Sequence, residues 1–274
     1  MATCSKIQSS NIENKMAVNK QSLTDHLLAS ATGHFKWPSN AIVFHLPKER
    51  ELLDDVARRL MLQVYLRASK LDFKTQVVSN ADYMSPSGRS PFLCLHMDSH
   101  PLIFSEFEKL VTFLESQSLG LTTKLKPQER SDQEAHLSLV RTKLAPALLY
   151  QTWASMTNVQ RSVTTHGHSL CWPLNQVVPR LQQFKYAWNH WEMYSKPERE
   201  VLLDFEHGCG SLSRRLGKDK LFFRDGLTTL DVVLWAHLQA CLSFTDPGNE
   251  LRKIVLQFDN FLDVAPVHEG LLEH

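Results

Sequence analysis

Ser79-Asn80-Ala81-Asp82-Tyr83-Met84-Ser85-Pro86-Ser87-Gly88-Arg89-Ser90-Pro91-Phe92-Leu93-Cys94-Leu95 is the stretch on which the architecture turns. Residues 80–90 are polar and carry Pro86, Ser87 and Gly88, so they read as a loop. At Pro91 the character changes, and the apolar run 92–97 reads as a strand. Working backwards, residues 73–78 alternate as a second strand. Before them, residues 51–69 place Leu53, Val56, Ala57, Leu60, Val64 and Ala68 on one helical face. Glu49, Glu51, Asp54 and Asp55 crowd the start of that helix, and Arg67 and Lys70 sit at its end, the order that the helix dipole favours. Residues 41–46, closed by Pro47, form the first strand. Working forwards, Leu102-Ile103-Phe104 is a short strand and a helix follows through Glu115. The order is β-α-β, loop, β-β-α.

The remainder reads differently. Helical spacing marks residues 128–158, interrupted at Pro146, and then 175–194, where Leu181, Phe184, Ala187, Trp188, Trp191 and Tyr194 recur at steps of three and four. Pro197 falls in the first turn of a helix that ends at Gly217. Thr228-Thr229-Leu230-Asp231 opens another helix, and residues 248–263 form a last one. No strand-like alternation follows Phe104. A small α/β domain at 37–120 therefore precedes an all-helical domain at 127–265, and residues 1–36 form a polar tail with a possible short helix at 22–30.

The chain has 274 residues, with 30 Lys+Arg against 29 Asp+Glu. That balance gives no electrostatic reason to expect nucleic-acid binding or a polybasic membrane surface. Its five cysteines are odd in number, widely spaced and without a Cys-x-x-Cys, as in a reducing compartment. Met1 to Lys20 lacks an apolar secretory core. Glu13 and the absence of arginine there argue against a mitochondrial presequence. The uncharged run 232–245 is too short to span a bilayer and reads as a buried helix.

The order of elements suggests a glutathione-transferase-like chain. Ser90-Pro91-Phe92-Leu93 stands where that superfamily has a cis-proline before its third strand. Gly226-Leu227-Thr228-Thr229-Leu230-Asp231 resembles the capping motif of its central buried helix. There, Thr228 would cap the Asp231 N–H and Asp231 would answer. The loop 79–92 closely resembles that of the metaxin family, as does Cys171-Trp172-Pro173-Leu174-Asn175 followed by a Trp-rich helix. Trp37-Pro38 and Phe222-Phe223 also fit, so the resemblance spans about residues 37–245. With no C-terminal membrane anchor, it is nearest the type-two branch.

The resemblance implies a non-enzymatic, peripheral protein on the cytosolic face of the mitochondrial outer membrane. Its partners would be a second metaxin-like chain and the β-barrel subunit of the sorting and assembly machinery. Motor adaptors that position mitochondria offer an alternative partnership. The other alternative is a glutathione-dependent transferase with an atypical site.

A transferase needs a hydroxyl or thiol near the end of the first strand to hold the glutathione thiolate. Here that stretch reads His45-Leu46-Pro47-Lys48-Glu49-Arg50-Glu51-Leu52 and has none; His45 alone reads as structural. An acidic residue followed by serine should cap the helix after the fourth strand, but Ser105-Glu106-Phe107 keeps only Glu106. Ser105 is expected to N-cap that helix with Glu108 as partner. His166-Gly167-His168 with Cys171 lacks a fourth metal ligand and reads as an exposed loop. No catalytic, cofactor or metal residue is therefore assigned. Tyr83 and Met84 read either as parts of a turn or as a docking surface. Phe184 and Trp188 are expected in the core, Trp191 is left open between core and interface, and Arg58-Arg59 is expected to be a solvated face.

Overall fold

The computed structural model describes residues 35–264, except 98–99, 156–157, 169, 224–225, 244–248 and 262–263. The expected helix at 22–30 lies outside these residues. The sheet has the order β2-β1-β3-β4. Strand β1 (Ile42–His45) runs into helix α1 (Leu53–Ala68), which returns the chain to β2 (Lys74–Val77), parallel to β1 with Ile42 opposite Lys74. Strand β3 (Phe92–His96) pairs antiparallel with β1, and the rings of Phe44 and Phe92 stack with centroids 4.9 Å apart. Strand β4 (Pro101–Phe104) closes the sheet antiparallel to β3. Interior β3 is buried over its first four residues, which explains its unbroken apolar run. Edge strand β2 is exposed at all four positions, so its alternation does not mark a buried face.

Between β2 and β3 the expected loop contains a helical turn, α2 (Ala81–Met84). The amides of Tyr83 and Met84 both donate to the Asn80 carbonyl. Ala81 and Asp82 are buried while Tyr83 and Met84 face outward. The Ser90–Pro91 peptide is cis.

After α3 (Phe107–Ser116) the chain is helical: α4 (Pro127–Leu139), α5 (Ala145–Trp153), α6 (Val159–Gly167), α7 (Leu174–Asn189), α8 (Trp191–Tyr194), α9 (Glu198–Leu216), α10 (Thr229–Ser243) and α11 (Glu250–Val255). The interruption expected at Pro146 is a π-helical turn, Val140–Leu144. Proline offers no N–H to the preceding turn, and a wider turn ahead of it absorbs the mismatch. Helix α9 approaches this turn closely. A Cβ on Gly208 would lie 2.8 Å from Leu144 Cδ1 and 3.1 Å from Lys143 Cβ, so glycine leaves room for the side chains of this turn against α9. Gly217, at φ +64°, ends α9. The last helix is shorter than expected, and Asn249 caps it by accepting from the Leu251 amide at 3.0 Å.

One hydrophobic core serves both halves. Helix α10 is buried nearly all round and packs chiefly against α1. The core includes Val64, Tyr65 and Leu66 from α1, Leu93 and Leu95 from β3, and Trp235 and Leu238 from α10. The run 232–245 is thus a core helix as far as it is described, and no described helix is long and apolar enough to cross a membrane.

Two expectations about exposure are overturned. Phe184 and Trp188 are not core; Trp188 is 75% exposed and Trp191 68%. Helix α7 instead buries Pro179 and Tyr186 on its opposite face. Arg58 and Arg59 are not a solvated face. Arg58 pairs with Asp54 at 2.7 Å and Asp55 at 2.8 Å, and Arg59 holds Glu51 with two nitrogens, the longer bond 2.9 Å. The acidic start of α1 supplies these partners.

Candidate functional site

An open cleft of about 720 Å³, including space continuous with solvent, lies between the head of α1, the α2 loop and helix α7. Its floor is built by the chain reversal after β1. The Leu46 amide donates to the Ser90 hydroxyl at 3.2 Å, which ties β1 to the residue before Pro91. Arg50 then turns inward and is 1% exposed. Its Nη1 donates to the Ser79 carbonyl, and its Nη2 stands 3.6 Å from Asp82 Oδ2. This pair joins the β1–α1 turn to α2. Asp55 accepts from the Leu52 amide at 3.2 Å and so caps α1 from within. Burial pushes the Asp55 carboxyl up to about 7, against the pull of Arg58.

On the opposite wall, His166 and Gly167 are buried at the end of α6, not exposed in a loop. Gly167 leaves no room for a Cβ beside the Asn175 carbonyl, so α6 and α7 meet backbone to backbone. The His166 ring packs edge-on to Trp153 at 5.8 Å, and neither ring nitrogen has a hydrogen-bond partner among the described residues. Burial, aided by Arg50, holds its pKa below the usual histidine value. The fold therefore keeps this imidazole neutral, and acidification protonates the unfolded chain first. The resulting stability loss begins as pH falls through the unfolded value of 6.5. His166→Leu should leave stability near its original value at neutrality and lose less than the wild type down to about pH 5, as read by urea unfolding at each pH. Among the described residues, no group of three or more His, Cys, Asp or Glu side chains gathers as a metal site.

The remaining predicted residues fall as follows. Ser105 does not cap α3. The helix begins one residue later than expected, with Glu106 in the capping position and no side-chain cap bond. Glu106 instead accepts from Lys109 at 2.9 Å. The Ser105 carbonyl receives the Ser87 hydroxyl, and the Phe107 ring packs edge-on to Tyr65 at 5.2 Å. Thr228 and Asp231 form the expected box with one half altered. Asp231 Oδ2 accepts from the Thr228 amide at 2.9 Å, but the Thr228 hydroxyl donates to the same carboxylate at 2.5 Å, while Oδ1 takes the Phe222 amide at 2.9 Å. Tyr83 is 53% exposed and Met84 46%. Trp191 lies outside the cleft. Sequence reasoning missed the Arg50–Asp82 pair, whose members are 32 positions apart and carry no local signal.

The glutathione S-transferase N-terminal domain model matches residues 58–158, and the C-terminal domain model matches residues 205–264. Mouse metaxin-2 is 30% identical over 237 residues, which cover 82% of this chain and 86% of the mouse protein. The chain belongs to the metaxin family. Human metaxin-1, another member, is 27% identical over 70% of this chain and 42% of its own length. Two solved structures share the fold of this metaxin-family chain at low identity. A glutathione transferase family member from Pseudomonas fluorescens gives a TM-score of 0.55 at 14% identity, covering 85% of this chain and 89% of its own. A beta-etherase from Sphingobium sp. gives 0.56 at 15%, covering 85% and 98%. The metaxin chain is thus glutathione-transferase-like in fold, with a thioredoxin-like sheet half and a helical half.

Proposed function

We propose that this metaxin-family chain is a non-enzymatic platform of the machinery that sorts and assembles β-barrel proteins in the mitochondrial outer membrane. It is held peripherally on the cytosolic face by a second metaxin-like chain and the barrel subunit. The observation that carries this reading is the closed head of α1. Where a transferase presents a hydroxyl or thiol, this chain buries Leu46 and Leu52 and turns Arg50 inward onto Ser79 and Asp82. The cleft is braced by ion pairs and holds no activating group at the position where thiolate chemistry would begin.

The outer face of the same brace supplies the docking surface. Helix α2 buries its first two residues and presents Tyr83 and Met84 to solvent. A gentle-detergent pull-down of the tagged chain should recover a second metaxin-like protein and an outer-membrane β-barrel protein from mitochondria. Tyr83→Ser/Met84→Ser should lower that recovery severalfold with no loss of thermal stability, because surface changes of this kind alter folding by about 0.5 kcal/mol or less. Calorimetry with glutathione should show no saturable heat. Partner depletion should move the chain to the soluble fraction of salt-washed mitochondria. Saturable glutathione binding, or recovery of the chain from the cytosol of unperturbed cells with neither partner attached, would overturn the reading.

A further inference from the structure

Helix α7 carries an unusual outer face. Leu174, Val177, Leu181, Phe184 and Trp188 recur at alternating steps of three and four, and Trp191 continues the spacing past the helix break at His190. All six are exposed. The buried residues of the helix, Pro179 and Tyr186, project from the other side, and the cleft wall lies there too. The stripe is therefore a second surface facing away from the cleft. At 1.5 Å per residue the 16-residue helix presents it over about 24 Å.

Its electrostatic setting is one-sided. From Ala135 to Trp191 the chain contains no Asp or Glu, although it carries Arg141, Lys143, Arg161, Arg180 and Lys185. Arg141 and Lys143 pair with Glu108, Glu134 and Asp204 on other elements, so the cations that α7 itself presents are Arg180 and Lys185. Arg180 and Lys185 flank the stripe on opposite sides and are both exposed, Lys185 on the side that also lines the cleft. Neither takes part in an ion pair among the described residues.

A helix zippered against a partner helix would carry both signs of charge beside its seam. This one carries only cations, and its apolar stripe ends in Trp188 and Trp191, with exposed Trp172 just before the helix. Tryptophan combines an apolar body with a polar N–H, which suits the boundary between acyl chains and headgroups. Apolar residues on one face, tryptophans among them, with cations alongside are the chemistry of a helix lying in the plane of an anionic bilayer. We propose that α7 docks this chain directly on an anionic lipid surface, with the stripe immersed at the headgroup level and Arg180 and Lys185 on lipid phosphates. The contact is shallow and reversible, and adds to any hold exerted by partner proteins. It goes beyond the platform reading, and either can fail without the other.

The test uses the purified full chain and vesicles without any partner protein. The chain should co-sediment at low salt with vesicles of equal parts phosphatidylcholine and phosphatidylserine, and not with phosphatidylcholine alone. High salt should release it. Arg180→Gln/Lys185→Gln should weaken binding roughly 25-fold, given about fivefold for each cation at the surface. Leu181→Gln/Phe184→Gln/Trp188→Gln should abolish it while the melting temperature holds, since all three are exposed. Quenching of tryptophan emission in the unaltered chain by acyl-chain-brominated lipid provides a readout that no variant's folding affects. Absence of binding to anionic vesicles, or binding that the stripe variant leaves intact, would overturn the proposal. So would a wild-type chain that ignores vesicles but loses an acidic partner protein when the stripe is changed, which would assign the face to that protein.

Discussion

Asp231→Ala is expected to lower the folding free energy by roughly 3 kcal/mol or more, the sum of a lost cap and two orphaned amides. Asp231 is 1% exposed, and its carboxylate serves three donors. These are the Phe222 amide at 2.9 Å, the Thr228 amide at 2.9 Å and the Thr228 hydroxyl at 2.5 Å. Alanine leaves both buried amides without an acceptor, and each such group costs about 1–3 kcal/mol. Burial pushes the Asp231 carboxyl up, while its three donors pull the other way. The network thus offsets the penalty of enclosing a charge at the head of α10. Asp231→Asn retains one carbonyl oxygen and should recover part of the loss. Thr228→Val removes the hydroxyl but leaves both amides served, and should cost only about 1 kcal/mol. Urea unfolding followed by far-ultraviolet circular dichroism measures all three. Equal losses for Asp231→Ala and Thr228→Val would show that the amides do not carry the effect.

The Arg50–Asp82 pair should produce a comparable effect with a different signature. Arg50→Met removes the partner of a carboxylate whose side chain is 9% exposed, and breaking a buried pair in this way costs about 3–5 kcal/mol. Arg50→Met/Asp82→Leu removes both charges and should be more stable than Arg50→Met alone, because no uncompensated ion remains. The same cycle has a second readout. The pair anchors α2 from inside, and α2 presents Tyr83 and Met84, so the single variant should also weaken partner recovery in the pull-down. A double variant less stable than either single change would show that the two side chains do not stabilise the fold as a pair.

The sheet half was legible where local chemistry is emphatic. Pro47 and Pro91 punctuate apolar runs, and the acidic head and basic tail of α1 mark its direction. The π-helical turn was legible only as a break at Pro146, since proline signals that the helix must deviate but not how. Ser105 failed as a cap by one residue, and Phe107, the first residue of the helix, packs on Tyr65 from elsewhere in the chain. Arg58 was misread although Asp54 and Asp55 lie within one turn of it, whereas the partner of Arg59 is Glu51, eight positions back. The stripe on α7 shows the deepest limit. Spacing reveals that Phe184 and Trp188 share a face, but not whether another element covers it. That depends on Tyr186 and Pro179 turning the opposite face inward against the rest of the fold. Of the candidate site, the missing hydroxyl or thiol was plain in the sequence. The inward turn of Arg50 was not, because its partner comes from a different part of the chain.

The packing of α1 against α10 has a consequence for how the chain fails. One helix comes from the sheet half and the other from the helical half, and each is the main cover of the other's apolar surface. Neither half owns a closed interior, so the chain should unfold in a single cooperative step. A lesion at Trp235 is then felt at the α2 surface, and one at Val64 is felt at α7, through loss of the whole molecule from the cell rather than local loosening. The same interlock restricts inheritance. One half cannot be exchanged for its counterpart in a relative unless the matching face of the opposite helix travels with it.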